Sequence, residues 1–349
     1  MTHQLNAHRE RKLRDLLQTR CPELVELERL LVNFNELLSF RVLTQVEYQA
    51  HQFPIYSLTL GNPAPEQPTL LLTAGVHGIE RIGVQVVLAQ LKVWLERLKW
   101  ERSLQNCLQQ MSITLIPIVN PVGLFLNRRS NGKGVDLMRN APIESREASF
   151  LVSGQKWTPK LPWYRGDVSH MEPENQVLRE EIERLTARAP MVISVDCHSG
   201  FGVHDRLWFP YAYRRRPMQD IAPMVALKLL WESSYPNHQY IFEPQSNHYL
   251  THGDLWDYFY KQFGRKQCRF LPLTLELGSW AWVRKRPLQL LRFDGLFNPL
   301  VPHRQQRAMR RHLPLMDFFR HAVHSYQQWL PGPAELANLK QMANSLWYR

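Results

Sequence analysis

Four short apolar runs constrain the fold of this 349-residue chain more than any other feature of its sequence. They cover residues 69–74, 113–119, 191–195 and 270–277, and helix-forming sequence lies between them. A strand with one face in water alternates apolar and polar residues, whereas a strand covered on both faces is apolar throughout. The pattern therefore predicts an α/β fold, in which a mixed, largely parallel central sheet carries helices on both faces.

Helices and strands outside these runs follow from the period of the hydrophobic residues. Leucines recur every three or four residues over 8–38, which predicts a helix, and strands are predicted at 40–48 and 53–60. Further helices are predicted at 83–100, 174–188, 223–232, 303–328 and 334–346. The stretch 143–170 lacks such a period and contains prolines and tryptophans, so we expect a long irregular loop that walls a binding site.

One catalytic domain is expected over residues 1–349, because no linker, internal repeat or low-complexity segment divides the sequence. The basic N-terminus is not followed by an apolar stretch of signal-peptide length, and no segment approaches the roughly 20 apolar residues that span a bilayer. The four cysteines are widely separated, which suits reduced thiols better than a disulfide framework. We therefore expect a soluble, cytoplasmic protein that does not bind membranes.

The formal net charge of +12 raises the question of an anionic partner. The basic residues are scattered or lie in short runs such as 214–216 and 284–286, and no helix-turn-helix or zinc-finger pattern accompanies them. We expect a solvated basic surface without a nucleic-acid partner, whose positive field helps to gather small anionic substrates.

Two histidines and one glutamate stand directly after apolar runs. In the sequence GVHGIE, His77 and Glu80 follow the run at 69–74, and His198 lies just beyond the run at 191–195. Ligand sites in open α/β sheets form outside the carboxyl ends of the strands. Each signal is weak alone, since HxxE also occurs by chance at helix starts. Together they match one of the ligand sets of catalytic zinc, which leaves a fourth position for water.

Four further motifs strengthen this signal: NPVG at 120–123, RSN at 129–131, GVDLMRN at 134–140 and LTLELG at 273–278. In order and separation, the full set resembles the zinc carboxypeptidase family, the metallopeptidases of the carboxypeptidase A type. The resemblance covers roughly residues 65–285. The next most similar group comprises succinylglutamate desuccinylase and aspartoacylase, which also have HxxE, a D-L-x-R segment and a distant histidine.

The resemblance implies a role for each matched residue. His77, Glu80 and His198 would bind one Zn²⁺ per chain. Glu276 would be the general base, and Arg129 would stabilise the developing oxyanion. The position of Glu276 supports this role, because a carboxylate between two leucines is costly to bury unless it has a partner or lines a cavity.

Substrate contacts are implied by the same resemblance. Arg139 would hold the terminal carboxylate of the substrate by a forked ion pair, and the adjacent Asn140 is a further expected contact. Tyr249 would cap the substrate, with Tyr240 and Tyr258 as alternatives. The family usually has asparagine where this chain has Met138, so one hydrogen bond to the carboxylate would be lost or replaced. Asp196 could orient the distant histidine, or could simply end a strand.

The leading interpretation is a zinc-dependent metallocarboxypeptidase or amidohydrolase that removes a C-terminal or side-chain-linked amino acid from small, anionic peptides, with cell-wall-type peptides as candidates. The alternative is a zinc-dependent N-acyl amino acid deacylase, which Met138 favours. An inactive binding protein on the same scaffold is a third interpretation, but all the candidate ligands and Glu276 are present. The sequence leaves the oligomeric state open.

Overall fold

The computed structural model describes residues 15–148, 153–264 and 268–348. An eight-stranded sheet comprises β1 Ser39–Tyr48, β2 His51–Gly61, β3 Thr69–Ala74, β4 Ser112–Ile116, β5 Met191–Ser199, β6 Arg206–Phe209, β7 Ile241–Pro244 and β8 Arg269–Leu277. The α-helices are α1 Pro22–Asn33, α2 Arg81–Leu98, α3 Arg102–Gln109, α4 Pro121–Leu126, α5 Pro173–Thr186, α6 Ile221–Ser234, α7 Leu255–Phe263, α8 Trp280–Lys285, α9 Pro302–His324, α10 Tyr326–Trp329 and α11 Leu336–Trp347. Residues 15–20 are also helical.

The strands are ordered β1-β2-β4-β3-β5-β8-β6-β7 across the sheet. Its centre, from β4 through β3 and β5 to β8, is parallel, and so is the β6–β7 pair. Antiparallel pairing joins β1 to β2, β2 to β4 and β8 to β6. The prediction of a mixed, largely parallel sheet is confirmed. β3, β4 and β5 are buried along their whole length, as their apolar sequences predicted.

Helices cover both faces of this sheet. Successive residues of a strand point to opposite faces, so Leu70 and Leu72 of β3 join one hydrophobic cluster while Leu71 joins another. Residues of α2 and α9 belong to the first cluster, and residues of α5 and α7 such as Ile182 and Phe259 belong to the second. The central strands are therefore shielded on both sides, which leaves the ends of the strands as the accessible part of the sheet.

Two predicted helices near the chain ends differ from the structure. The single helix predicted at 8–38 is interrupted at Cys21, and α1 begins at Pro22. Proline lacks the N–H that a continuous helix requires, but it suits the first position of a new one. Residues 8–14 of that prediction lie outside the described part of the chain. The C-terminal helix predicted at 303–328 is likewise divided, because α9 ends at His324 before α10 starts.

The predicted loop at 143–170 contains no helix or strand in its described parts, 143–148 and 153–170, apart from one isolated bridge between Gln155 and Tyr164. All four cysteines are buried and free, in agreement with the prediction of reduced thiols. Among the described residues, no helix combines the length and the apolar character needed to cross a membrane.

Candidate active site

A tight turn after β3 sets the positions of His77 and Glu80. Gly75 follows the strand with a φ of +66°, a conformation that residues with a side chain rarely adopt. Gly78 packs so closely on α4 that an added Cβ would lie 2.0 Å from the carbonyl carbon of Gly123. Helix α2 starts directly after Glu80. This short connection holds both candidate ligands at the carboxyl end of β3.

The neighbouring parallel strands β5 and β8 bring in two more side chains. His198 of β5 is paired in register with Glu276 of β8. Glu80 lies between the two histidines, with its Oε1 2.9 Å from Nδ1 of His77 and its Oε2 3.0 Å from Nδ1 of His198. One ligand atom from each of these three residues lies within 4.8 Å of the others, and all three residues are buried. The structure therefore brings the predicted ligand trio together in an arrangement that could hold a metal ion.

A buried carboxylate contacts each histidine at Nε2, the ring nitrogen that points away from Glu80. Nε2 of His77 lies 3.0 Å from Oδ1 of Asp136, and Nε2 of His198 lies 2.6 Å from Oδ2 of Asp196. A carboxylate in this position favours the tautomer with the proton on Nε2, which leaves the Nδ1 lone pair directed at the ligand cluster. The paired carboxylates thus orient both imidazoles for metal binding.

The groups around the two histidines carry an excess of negative charge when they are ionised. They are four buried carboxylates and two arginines: Glu80, Asp136, Asp196, Glu276, Arg129 and Arg139. Buried charges of one sign are costly unless opposite charge compensates them. A divalent cation among the nitrogen and oxygen donors would supply that charge, so the residues present fit the zinc ion that the sequence predicts.

The same surroundings alter proton affinities. Burial and the nearby Glu80 carboxylate together raise the pKa of Glu276 to about 8, although His198 and Arg129 act in the opposite direction. Burial alone would lower the pKa of His198, but Asp196 and Glu80 hold it well above its usual value. Glu276 is therefore a carboxyl group with an unusually high affinity for a proton, placed beside the candidate ligands.

A cavity of about 620 Å³ opens beside these groups. Its lining includes His77, Glu80, His198 and Glu276. Aromatic side chains form much of the wall and include Trp163, Phe201, Trp208, Tyr249, Trp280 and Phe297. Because Trp163 belongs to the irregular stretch at 143–170, that stretch does wall the cavity as predicted.

Two arginines approach the ligand cluster through a shared carboxylate. Nε of Arg129 lies 3.0 Å from Oδ2 of Asp136, and its Nη1 lies 3.2 Å from Oε1 of Glu80. Arg139 places its Nη1 2.8 Å from the same Asp136 oxygen. Both arginines also line the cavity.

The remaining predicted substrate contacts are placed differently from one another. Tyr249 is half-buried and lines the cavity, and burial raises its pKa to about 12. Met138 also lines the cavity, where it presents a thioether beside Arg139. Asn140 is fully buried, its amide donates to the carbonyl oxygen of Arg165 at 2.8 Å, and its carbonyl oxygen accepts from a backbone N–H. This placement does not support Asn140 as a substrate contact, because both ends of its side chain are bonded to protein groups.

Two features of the site were not identified from the sequence. Asp136 contacts His77, Arg129 and Arg139, and its signal was present, since it is the only acidic residue in the segment 129–140. The aromatic wall beyond β8, which includes Trp280 and Phe297, had no signal of its own. Trp280 begins α8 and Phe297 follows a 3₁₀ turn, and hydrophobic periodicity does not predict which cavity such short elements border.

A family model described as zinc carboxypeptidase matches residues 43–281 of the chain. Among curated proteins, carboxypeptidase A4 of Mus musculus is 23% identical over 204 residues, a region that is 56% of this chain and 47% of that protein. The chain therefore matches about half of the length of this curated relative.

Solved structures show the same fold. The crystal structure of thrombin activatable fibrinolysis inhibitor aligns with a TM-score of 0.64 at 20% identity, and covers 85% of this chain and 72% of that chain. Carboxypeptidase A from Helicoverpa armigera aligns with a TM-score of 0.61 at 18% identity, and covers 86% and 71% of the two chains. The fold and the match of the family model to more than half of the sequence agree, and the chain belongs to the zinc carboxypeptidase family, which is a family of hydrolases.

Proposed function

We propose that this protein is a zinc-dependent metallocarboxypeptidase or amidohydrolase that removes a C-terminal or side-chain-linked amino acid from small peptides. The observation that carries the proposal is the convergence of His77, Glu80 and His198 within 4.8 Å, beside the buried Glu276 and a cavity that opens onto all four. The described residues form one sheet with its core on both faces, which supports a single catalytic domain.

One zinc ion per chain would be held by Nδ1 of both histidines and by the carboxylate of Glu80. A zinc ion held there supplies Lewis acidity to a water molecule and to the scissile carbonyl. The carboxylates of Asp136 and Asp196 keep the two imidazoles in the orientation that this binding requires. The chain thus contributes three ligands and leaves room on the cavity side for the reacting groups.

Glu276 would take the proton of the attacking water and pass it to the leaving amine. A group with both tasks works best when its proton affinity lies near the working pH. Burial and the Glu80 carboxylate raise the pKa of Glu276 to about 8, and a bound dication would shift the balance back towards the carboxylate. Glu276 therefore combines a position next to the ligands with a tuneable affinity for a proton.

Arg129 and Arg139 would bind or stabilise negatively charged groups of the substrate. Arg129 would stabilise the oxyanion that forms at the scissile carbonyl, and its ion pair with Glu80 supports this role. Arg139 would bind the terminal carboxylate, and Tyr249 would close over the bound substrate from the aromatic wall. Asn140 would order the segment that carries Arg139 and would not touch the substrate.

The substrate would be small and anionic. A cavity of about 620 Å³ suits a ligand of a few residues, and its two arginines together with the net charge of +12 suit negative groups. Cell-wall-type peptides are one class with this chemistry. Met138 at the cavity wall keeps an N-acyl amino acid deacylase as the second candidate, since a thioether beside Arg139 removes one donor for a peptide carboxylate.

Metal analysis combined with a substrate comparison tests the proposal. We expect close to one zinc per chain by mass spectrometry, and hydrolysis of peptides with a free carboxyl end in preference to their C-terminal amides and to N-acyl amino acids. His77→Ala should lose zinc and activity together. His170→Ala replaces an exposed histidine outside the cavity and should retain both.

Full activity of the metal-free protein would contradict the zinc mechanism. Faster turnover of N-acyl amino acids than of peptides would select the deacylase instead.

A further inference from the structure

Residues 280–293, which we call the apolar tip, expose large hydrophobic side chains to solvent. Leu291 is 85% exposed, Leu288 is 71% exposed and Phe293 is 68% exposed. Trp280 and Leu290 are exposed as well. Single exposed leucines are common in soluble proteins, but several within one short segment mark a surface that another phase or molecule covers.

The apolar tip has a defined shape with its polar side chain turned inward. Backbone hydrogen bonds join α8 to the 3₁₀ turn Pro287–Leu291. Gln289 is the only buried residue of that turn. Its amide donates to the carbonyl oxygen of Gly295 at 2.6 Å, where a Cβ on Gly295 would meet the Gln289 carbonyl oxygen at 2.2 Å. This is the reverse of the usual arrangement, in which the leucines would be buried and the glutamine exposed. The fold therefore presents the leucines to the outside.

Basic side chains lie within the apolar tip and next to its α8 end. Arg284, Lys285 and Arg286 belong to it, and α9 adds a row that we call the basic shelf: Arg304, Arg307, Arg310 and Arg311. A cavity of about 420 Å³ lies between Arg284 and the shelf, and a second one, of about 670 Å³, lies along the shelf next to α6. Among the described residues that line these two cavities, six are Lys or Arg and one, Asp205, is acidic.

We propose that the apolar tip and the basic shelf together dock this protein on the surface of an anionic phospholipid bilayer. Leucine and phenylalanine side chains would enter the headgroup region, and the arginines and the lysine would contact lipid phosphates. Each basic residue near such a surface contributes attraction that is screened by salt. The proposal departs from the expectation, drawn from the sequence, that the protein does not bind membranes. It concerns attachment from one side, whereas the finding on helices among the described residues concerns only crossing of the membrane.

Charge argues against a second copy of the chain as the occupant. In a two-fold symmetric dimer the same patch meets itself, so a contact made by the tip and the shelf together would collect the basic residues of both copies without an acidic surface to match them. Leu288 and Leu291 also do not line the active-site cavity, whereas Trp280 and Phe293 do. Docking would therefore bring the mouth of that cavity close to the lipid surface without using the two leucines for substrate binding.

Vesicle co-sedimentation of the full chain tests the proposal. The probes are neutral phosphatidylcholine vesicles and vesicles in which part of that lipid is replaced by phosphatidylglycerol. Leu288→Glu with Leu291→Glu removes the two most exposed leucines of the tip. Val32→Glu with Trp100→Glu is the matched control, since these residues are 73% and 70% exposed outside the tip and the net charge changes equally.

We expect the wild type and the control to sediment with anionic vesicles and to remain in solution with neutral ones. The tip variant should bind anionic vesicles at least about tenfold more weakly, because two inserted leucines are lost and two repelled charges are gained. Added salt should weaken binding of the wild type.

Equal binding of the tip variant and the wild type would overturn the proposal. The proposal would also be overturned if the wild type bound neither type of vesicle, or if it bound neutral and anionic vesicles equally well. Sedimentation velocity tests whether a second copy of the chain covers the tip instead. A dimeric wild type and a monomeric tip variant, neither of which binds vesicles, would assign the tip to a contact between copies. None of these outcomes depends on hydrolytic activity.

Discussion

Replacing Asp196 with asparagine measures how much a buried carboxylate behind His198 contributes to the metal site. Oδ2 of Asp196 lies 2.6 Å from Nε2 of His198 and accepts from Nε1 of Trp256 at 2.9 Å, while Oδ1 accepts from the Thr73 hydroxyl at 2.8 Å. Asparagine can keep its oxygen towards the histidine and the indole, and the hydroxyl of Thr73 can rotate to accept from the new amide. The substitution therefore removes a negative charge with almost no change in volume.

The expected effect is on zinc affinity. Loss of a partner behind a ligating histidine typically weakens metal binding about 10- to 100-fold, which corresponds to about 1.4–2.7 kcal/mol. Because the asparagine oxygen can still accept from Nε2 of His198, we expect a value near the lower end, about tenfold. The dissociation constant is measured by competition with a chromophoric chelator.

Trp256→Phe is the matched control for Asp196→Asn, since it removes one hydrogen bond to the carboxylate and leaves the charge in place. Its zinc affinity should change less than that of the asparagine variant. Urea unfolding of the metal-free proteins shows whether either change acts through the fold. An unchanged zinc dissociation constant in a stably folded Asp196→Asn protein would refute the role of the carboxylate.

Two further predictions concern buried carboxyl groups. Glu276→Gln keeps the shape of the side chain but cannot accept a proton, so kcat should fall at least about 100-fold while zinc content is retained, and an unchanged kcat would remove Glu276 from the mechanism. Burial raises the pKa of Glu174 to about 7, above its value in the unfolded chain, so the stability it contributes at low pH is lost as the pH rises through about 7. The free energy of unfolding, measured with urea, should fall in the wild type as the pH rises from about 5 to about 8. In Glu174→Gln this fall should be smaller, by on the order of 2 kcal/mol. Equal falls in both proteins would contradict the assignment.

The central strands could be predicted because their environment leaves a local trace. β3, β4 and β5 are covered on both faces, so most of their residues are apolar and the run is visible without knowledge of the partner strands. The short β6 and β7 and helix α7 were not predicted. β6 and β7 have only four residues each, which is too short for a hydrophobic period to stand out.

The candidate ligands were predictable for a related reason. His77, Glu80 and His198 each follow a strand signal, and their order matches a known motif set. Asn140 was predicted to contact the substrate because it is adjacent in sequence to Arg139. Its side chain instead turns into the protein and donates a hydrogen bond to the backbone carbonyl of Arg165. Neighbouring residues in a short 3₁₀ turn point in different directions, and spacing alone does not say which one faces the cavity.

The sequence by itself determined the fold class and the donor set, because burial on both faces and metal chemistry both restrict which residue types can occupy a position. Only the tertiary structure decided which groups surround those donors. The pairing of Asp136 with His77 and the raised pKa of Glu276 depend on how separate segments of the chain pack together. The apolar tip is another case, since leucines predict burial, whereas Leu288, Leu290 and Leu291 are exposed and Gln289 between them is buried.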